Sequence, residues 1–234
     1  MNHHYDPEEI EKFEALAREW WNPDGKFRPL HRINPIRLDY IAGHHELQGA
    51  ETLDVGCGGG ILAEAMATRG AKVTGIDRSE KALAVARLHA RESGWTIGYH
   101  CSDAETWAET HSDTYDVVTC MEVLEHVPDV ESTVEACVRM LKPGGAFFFA
   151  TLNRTVKSFL VAIVGAEYVL NWLPKGTHHY DKFVRPSELV GLLRRAGLEV
   201  EDLRGMSFEV LSNRFALSDD LSVNYLGYAR KPRQ

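Results

Sequence analysis

From residue 51 onward, short apolar runs with the two-residue period of strands alternate with longer stretches at the helical period. The strand runs fall at 52–55, 71–76, 96–101, 115–121 and 146–151. The helical stretches between them cover 61–67, a segment capped by Ser79 that runs to about 93, and 129–141, which Lys142-Pro143-Gly144-Gly145 ends. The run at 115–121 is almost wholly apolar, as a strand buried on both faces must be. Strand and helix in regular alternation predict a doubly wound α/β fold. Its sheet is parallel, with helices on both faces and a ligand at the strands' C-terminal edge. Beyond residue 154 the alternation breaks. A further helix starts near Pro186-Ser187 and ends at Gly197, and two last strands fall at 198–204 and 223–230.

Ahead of this pattern, Asp6-Pro7-Glu8-Glu9 supplies a cap, a first-turn proline and a glutamate three residues past the cap. Ile10, Phe13, Leu16, Ala17, Trp20 and Trp21 then share one helical face. That face either packs on the domain or roofs a cleft with its aromatics. A second short helix is expected to begin with Asn34 as cap and Pro35 in its first turn, and it carries Arg37. The expected organisation is an N-terminal helical lid over 1–48 and an α/β domain over 49–234, with an insertion at 154–185.

The stretch Asp54-Val55-Gly56-Cys57-Gly58-Gly59-Gly60 sits where the first strand turns into the first helix. Side-chain-free residues let backbone turn sharply against a bound small molecule. The second strand ends at Asp77, twenty-one residues after Gly56, the spacing at which a carboxylate accepts both hydroxyls of a ribose. A pyrophosphate loop has its third glycine one residue later than this one. The crowded spacing and the preceding acid depart from that loop and resemble the first motif of class I S-adenosylmethionine-dependent methyltransferases, which implies an adenosyl sulfonium in place of a nicotinamide dinucleotide. The acid Asp103, after the third strand, falls where an adenine amino group would want an acceptor.

Composition narrows the classes. A net charge of −8 argues against a generic nucleic-acid binder, which would show a basic face or stripe, and 44% apolar with 26% charged residues is ordinary for a soluble globular chain. Cys57, Cys101, Cys120 and Cys137 are scattered, without the clustered spacing of a zinc or disulfide scaffold. No N-terminal run has the character of a secretory signal.

After the fourth strand comes Met121-Glu122-Val123-Leu124-Glu125-His126-Val127-Pro128. Met121, at the strand tip, is expected to line the donor pocket. On a helical turn Glu122, Glu125 and His126 would project from one side. Three readings stay open: ligands for a divalent cation such as Mg or Zn, a general base at His126 oriented by Glu125 or Glu122, or a capping turn without chemistry.

Several of these strings occur together with the paired tryptophans before Asn22, with 31–37, with Thr151-Leu152-Asn153-Arg154, and with 164–170 followed by Pro174-Lys175-Gly176-Thr177-His178. In combination, over about 8–228, they resemble the ubiquinone-biosynthesis O-methyltransferase family of class I S-adenosylmethionine-dependent methyltransferases. The resemblance implies a seven-stranded sheet whose last strand is antiparallel, and donor contacts at Arg37, Gly56, Asp77 and Met121. It implies methylation of a 2-polyprenyl-6-hydroxyphenol and of 3-demethylubiquinol, with other ubiquinone-biosynthesis enzymes as further partners. Two rivals share the glycine loop: a methyltransferase of another small phenolic acceptor, and a non-catalytic donor-binding subunit of a biosynthetic complex.

The insertion fits a lipid-borne substrate. Phe159, Leu160, Ile163, Val164, Val169, Leu170, Trp172 and Leu173 are dense apolar positions. Arg154, Lys157, Lys175, Lys182 and Arg185 rim them against only Glu167 and Asp181. An apolar face with a basic rim suits an anionic membrane surface. The location expected is therefore cytoplasmic, peripheral on the inner face of the cell membrane, although the same segment would also serve as a substrate lid.

Overall fold

The computed structural model describes residues 17–159, 180–209 and 214–233. Eight strands form one sheet: β1 (Glu51–Val55), β2 (Lys72–Asp77), β3 (Gly98–Cys101), β4 (Tyr115–Met121), β5 (Leu141–Leu152), β6 (Glu199–Glu209), β7 (Arg214–Ser218) and β8 (Asn224–Arg230). Their spatial order is β3-β2-β1-β4-β5-β8-β6-β7. The pairs among β1 to β5 are parallel, whereas β8 runs antiparallel to both β5 and β6. The chain steps outward from β1 to β3, then returns to lay β4 on the other side of β1. That reversal opens a crevice above the strands' C-terminal ends between β1 and β4.

The helices are α1 (Arg28–His44), α2 (Ile61–Thr68), α3 (Glu80–Glu92), α4 (Ala104–Ala108), α5 (Val130–Met140), α6 (Val156–Ser158) and α7 (Pro186–Arg195). Two apolar layers flank the sheet, and β5 shows why: Phe147 and Phe149 join the layer under α5 and α7, while Phe148 joins the one under α1 to α3. A strand buried on both faces needs apolar residues at consecutive positions, and the three phenylalanines meet that need. Among the described residues no helix is long and apolar enough to cross a membrane.

The helix and strand pattern read from the sequence is present, with three departures. There are eight strands, not seven, because β6 continues to Glu209 and its far end pairs with β7, from Gly205 opposite Ser218 to Glu209 opposite Arg214. Strand β5 begins at Leu141, directly where α5 stops, with a register shift opposite β4 in place of a loop. Asn34 is not a cap. Pro29 sits in the first turn of α1, which carries on through Pro35, so Asn34 lies mid-helix and donates from Nδ2 to the Ile61 carbonyl at 3.1 Å. Ser79 does cap α3, accepting from the Ala82 N–H, and Asp129 caps α5.

Most of the N-terminal apolar face, residues 10–16, lies outside the described residues, as does 160–179 of the insertion. Residues 17–20 are helical, and Trp20 at the end of this turn and Trp21 after it lie against the glycine loop.

Candidate active site

Two adjoining cavities occupy the crevice. The smaller, about 190 Å³, lies between α1 and the glycine loop and is lined by Trp20, Asn34, Arg37, Asp54 and Met121 among others. The larger, about 620 Å³, extends past Asp77, Ser102 and Asp103 to His126 and Asp129. Gly56 and Glu122 line both.

The glycine loop is shaped by what touches it. Gly56 has φ +70, and a Cβ there would overlap a methyl of Val123 from the turn after β4. A Cβ on Gly59 would overlap the indole of Trp20, which lies flat on Phe27 with ring centroids 4.0 Å apart. The Trp21 Nε1 donates to the Gly59 carbonyl at 3.1 Å, and its ring stacks on His89 at 3.4 Å. Asp77 braces the loop from the next strand: Oδ2 accepts from the Gly58 N–H at 2.9 Å and Oδ1 from the Ser79 N–H at 2.7 Å. Asp103 faces the larger cavity while capping α4. The Thr106 bonds to it hold its carboxyl below the usual carboxylate range.

Electrostatics are concentrated in the smaller cavity. Arg37 is 5% exposed and donates from Nη2 to the Glu122 Oε1 at 2.6 Å. Asp54 is buried. Loss of water pushes its carboxyl up to about 7, against the opposing pull of the Thr119 hydroxyl at 2.6 Å and the Arg37 charge. Two buried polar atoms here have no protein partner, Arg37 Nε and Asn34 Oδ1. Buried donors and acceptors are normally paired, so this pair of orphans marks a place for a polar ligand.

The turn after β4 departs from the helical geometry that would set Glu122, Glu125 and His126 on one side. Glu122 has φ +56, in the left-handed region, and this sends its carboxylate to Arg37. Glu125 turns inward, 3% exposed, its Oε2 accepting from the Thr151 hydroxyl at 2.7 Å. Burial and then the Glu122 charge push the Glu125 carboxyl up to about 8. His126 is exposed at the wall of the larger cavity. Among the described residues no three His, Cys, Asp or Glu side chains are grouped to hold a metal ion. The three residues as placed do not fit one cation.

A family model described as a methyltransferase domain matches residues 30–203. Ubiquinone biosynthesis O-methyltransferases of Azoarcus sp. (strain BH72) and Aromatoleum aromaticum are 58% and 54% identical to the chain. Each alignment covers 99% of this chain and 99% of the relative. The chain belongs to the ubiquinone biosynthesis O-methyltransferase family. Its fold is also that of magnesium protoporphyrin IX methyltransferase from Synechocystis PCC 6803, solved with bound SAH. The two share a TM-score of 0.69 at 18% identity, covering 94% of each chain.

As a member of this O-methyltransferase family the chain is an S-adenosylmethionine-dependent enzyme, and the site agrees with that donor. The orphaned Arg37 Nε suits a carboxylate, and Asp54 and Asn34 Oδ1 suit an ammonium. Asp77 and Asp103 line the larger cavity, and carboxylates suit the hydroxyl and amino donors of an adenosyl group. Reading the sequence singled out Arg37, Gly56, Asp77 and Met121, and all four line this crevice. Trp20, expected on a face that packs on the domain or roofs a cleft, and Asn34, expected as a cap, both line the smaller cavity. The signal for Asn34 was its place one turn before Arg37.

Proposed function

We propose that the enzyme methylates a phenolic or quinol hydroxyl of a polyprenylated aromatic, acting on both a 2-polyprenyl-6-hydroxyphenol and 3-demethylubiquinol. The observation that carries this is a single cavity running from the donor end at Asp77 to His126, in a chain alike over its full length to ubiquinone biosynthesis O-methyltransferases. Bound S-adenosylmethionine supplies a methyl group already activated on a sulfonium, so the protein's task is alignment and exclusion of water.

In this reading Arg37 and Asp54 hold the amino-acid end of the donor, Met121 and Gly56 line its middle, and Asp77 accepts from the ribose. A phenol has a pKa near 10 and is a weak nucleophile until its proton leaves. His126, exposed in the cavity, takes that proton as general base. Glu125 is held on Thr151 away from the cavity, so it contributes to the shape of the turn. Purified protein with S-adenosylmethionine should methylate a short-tailed catechol with and without a chelator, and His126→Ala should not. Normal turnover by that variant would remove His126 from the mechanism.

We also propose that residues 154–185 dock the enzyme on anionic lipid at the cytoplasmic face of the membrane, where a polyprenyl tail resides. Support comes from the five basic residues against two acids and from the apolar run between them. Deleting 160–179 should abolish co-sedimentation with anionic vesicles, and unchanged co-sedimentation would refute it.

A further inference from the structure

Among the described residues only two non-glycine residues have positive φ, Asp113 and Glu122. The second stands at the junction of the two cavities. Left-handed backbone is unfavourable for a residue with a Cβ and persists where the surroundings demand it. Here the turn is pinned by the Glu122 N–H, which donates to the Ala150 carbonyl at 2.9 Å. Glycine would relieve the conformation at once, yet the position carries a carboxylate. The conformation has one visible product: it aims that carboxylate at Arg37, 85 residues away in the chain.

The contact is single-pronged. Oε1 of Glu122 takes Nη2 of Arg37, while Nε, also buried, is left without a partner. A guanidinium offers two edges to carboxylates, and one oxygen on Nη2 leaves the Nε donor available. Without Glu122, the other carboxylate lining the same cavity is Asp54, which already feels the Arg37 charge and whose Oδ1 takes the Thr119 hydroxyl. An Arg37 drawn onto Asp54 would both turn away from the donor's carboxylate and cover the acid that suits its ammonium.

We propose that Glu122 is a positioning residue of the donor site, holding Arg37 so that its Nε donor meets the α-carboxylate of S-adenosylmethionine. Its part is thus on the donor side, not on the acceptor hydroxyl. The inference rests on reading the crevice as the donor site and adds to it the reason for a left-handed glutamate. Glycine relieves the backbone but, like glutamine, leaves the buried Arg37 charge without its partner, so Glu122→Gly should be more stable than Glu122→Gln while both bind the donor less well.

The experiment compares two ligands by calorimetry, S-adenosylhomocysteine and 5′-methylthioadenosine, which keeps the adenosyl sulfur but lacks the amino acid. Glu122→Gln and Glu122→Gly should weaken S-adenosylhomocysteine about tenfold and leave 5′-methylthioadenosine within about twofold. In Arg37→Ala, adding Glu122→Gln should cause no further loss. Thermal unfolding should place Glu122→Gly above Glu122→Gln, which also reports that both variants fold. Equal loss of both ligands would overturn the proposal in favour of a merely structural turn. Unchanged or tighter S-adenosylhomocysteine binding would overturn it too, by making Glu122 a competitor for Arg37. Wild-type protein that binds neither ligand would remove the donor-site reading itself, an outcome distinct from these.

Discussion

The loops that follow β1 and β4 lie side by side at the crevice, and each turns through a left-handed residue: Gly56 at φ +70 and Glu122 at φ +56. At Gly56 the backbone needs that conformation and the space of the missing side chain is taken by Val123 of the other loop. At Glu122 the conformation is the same but the side chain is the point, because it reaches Arg37. Two neighbouring turns thus solve one geometric problem in opposite ways. The first is shaped to let something come close; the second is strained to put a charge in place.

The comparison can be broken most severely from the acceptor end of the second loop. His126→Ala should lower turnover by about 10²–10⁴-fold, the usual contribution of a general base, with calorimetric affinity for S-adenosylhomocysteine retained. Loss of affinity with intact turnover would reverse the assignment. Next in size, Gly56→Ala adds a Cβ into Val123 and a left-handed alanine together, and should destabilise the fold by about 2–4 kcal/mol. Pairing it with Val123→Ala should restore the space but not the backbone preference. Full recovery of the melting temperature would show that crowding alone fixed the glycine.

Glu125 gives a smaller, pH-dependent effect. Its carboxyl lies at about 8 in the folded protein against an ordinary 4.5, so the fold favours the protonated form. The stability this contributes is complete below about pH 4.5 and is lost as pH rises to 8, with a slope of at most about 1.4 kcal/mol per pH unit. Glu125→Gln, which mimics the neutral form, should flatten the decline, read as melting temperature between pH 5 and 8. A variant that instead steepens it would mean the carboxylate is charged in the fold. The smallest change concerns the first loop: Trp21→Phe removes the bond to the Gly59 carbonyl and should cost about 0.5–1.5 kcal/mol.

What could be read from the chain follows the same divide. Positions 56, 58 and 60 announce a tight turn because only glycine suits it, and Asp77 is placed by its spacing from them. Gly56, Gly58 and Asp77 line or brace the crevice, and Gly60 stands at the N-cap of α2. The strands and helices were legible wherever burial on both faces imposed apolar runs, as at 115–121 and 146–151. Glu122 was not, because nothing in a glutamate announces left-handed backbone; helical spacing would put it beside Glu125 and His126, and φ +56 turns it to Arg37 while Glu125 turns to Thr151. The additional strand, β7, escaped for a different reason. Arg214–Ser218 is half-buried and short, and its period-two signal is weak. Pro35 misled in its own way: a proline read as a start proved to be interior, because α1 had already begun beside Pro29.

Strand β8 has a consequence for how the molecule comes together. It alone joins β6 and β7 to β5, and its pairing with β5 ties Ala146 to Arg230 and Leu152 to Asn224. During synthesis the β6–β7 pair therefore has no strand through which to join the sheet until 224–230 has emerged, and one flank of β5 stays bare meanwhile. Assembly of that half is gated by its latest-made strand, and a ribosome stalled before it would hold an adhesive edge open to other chains.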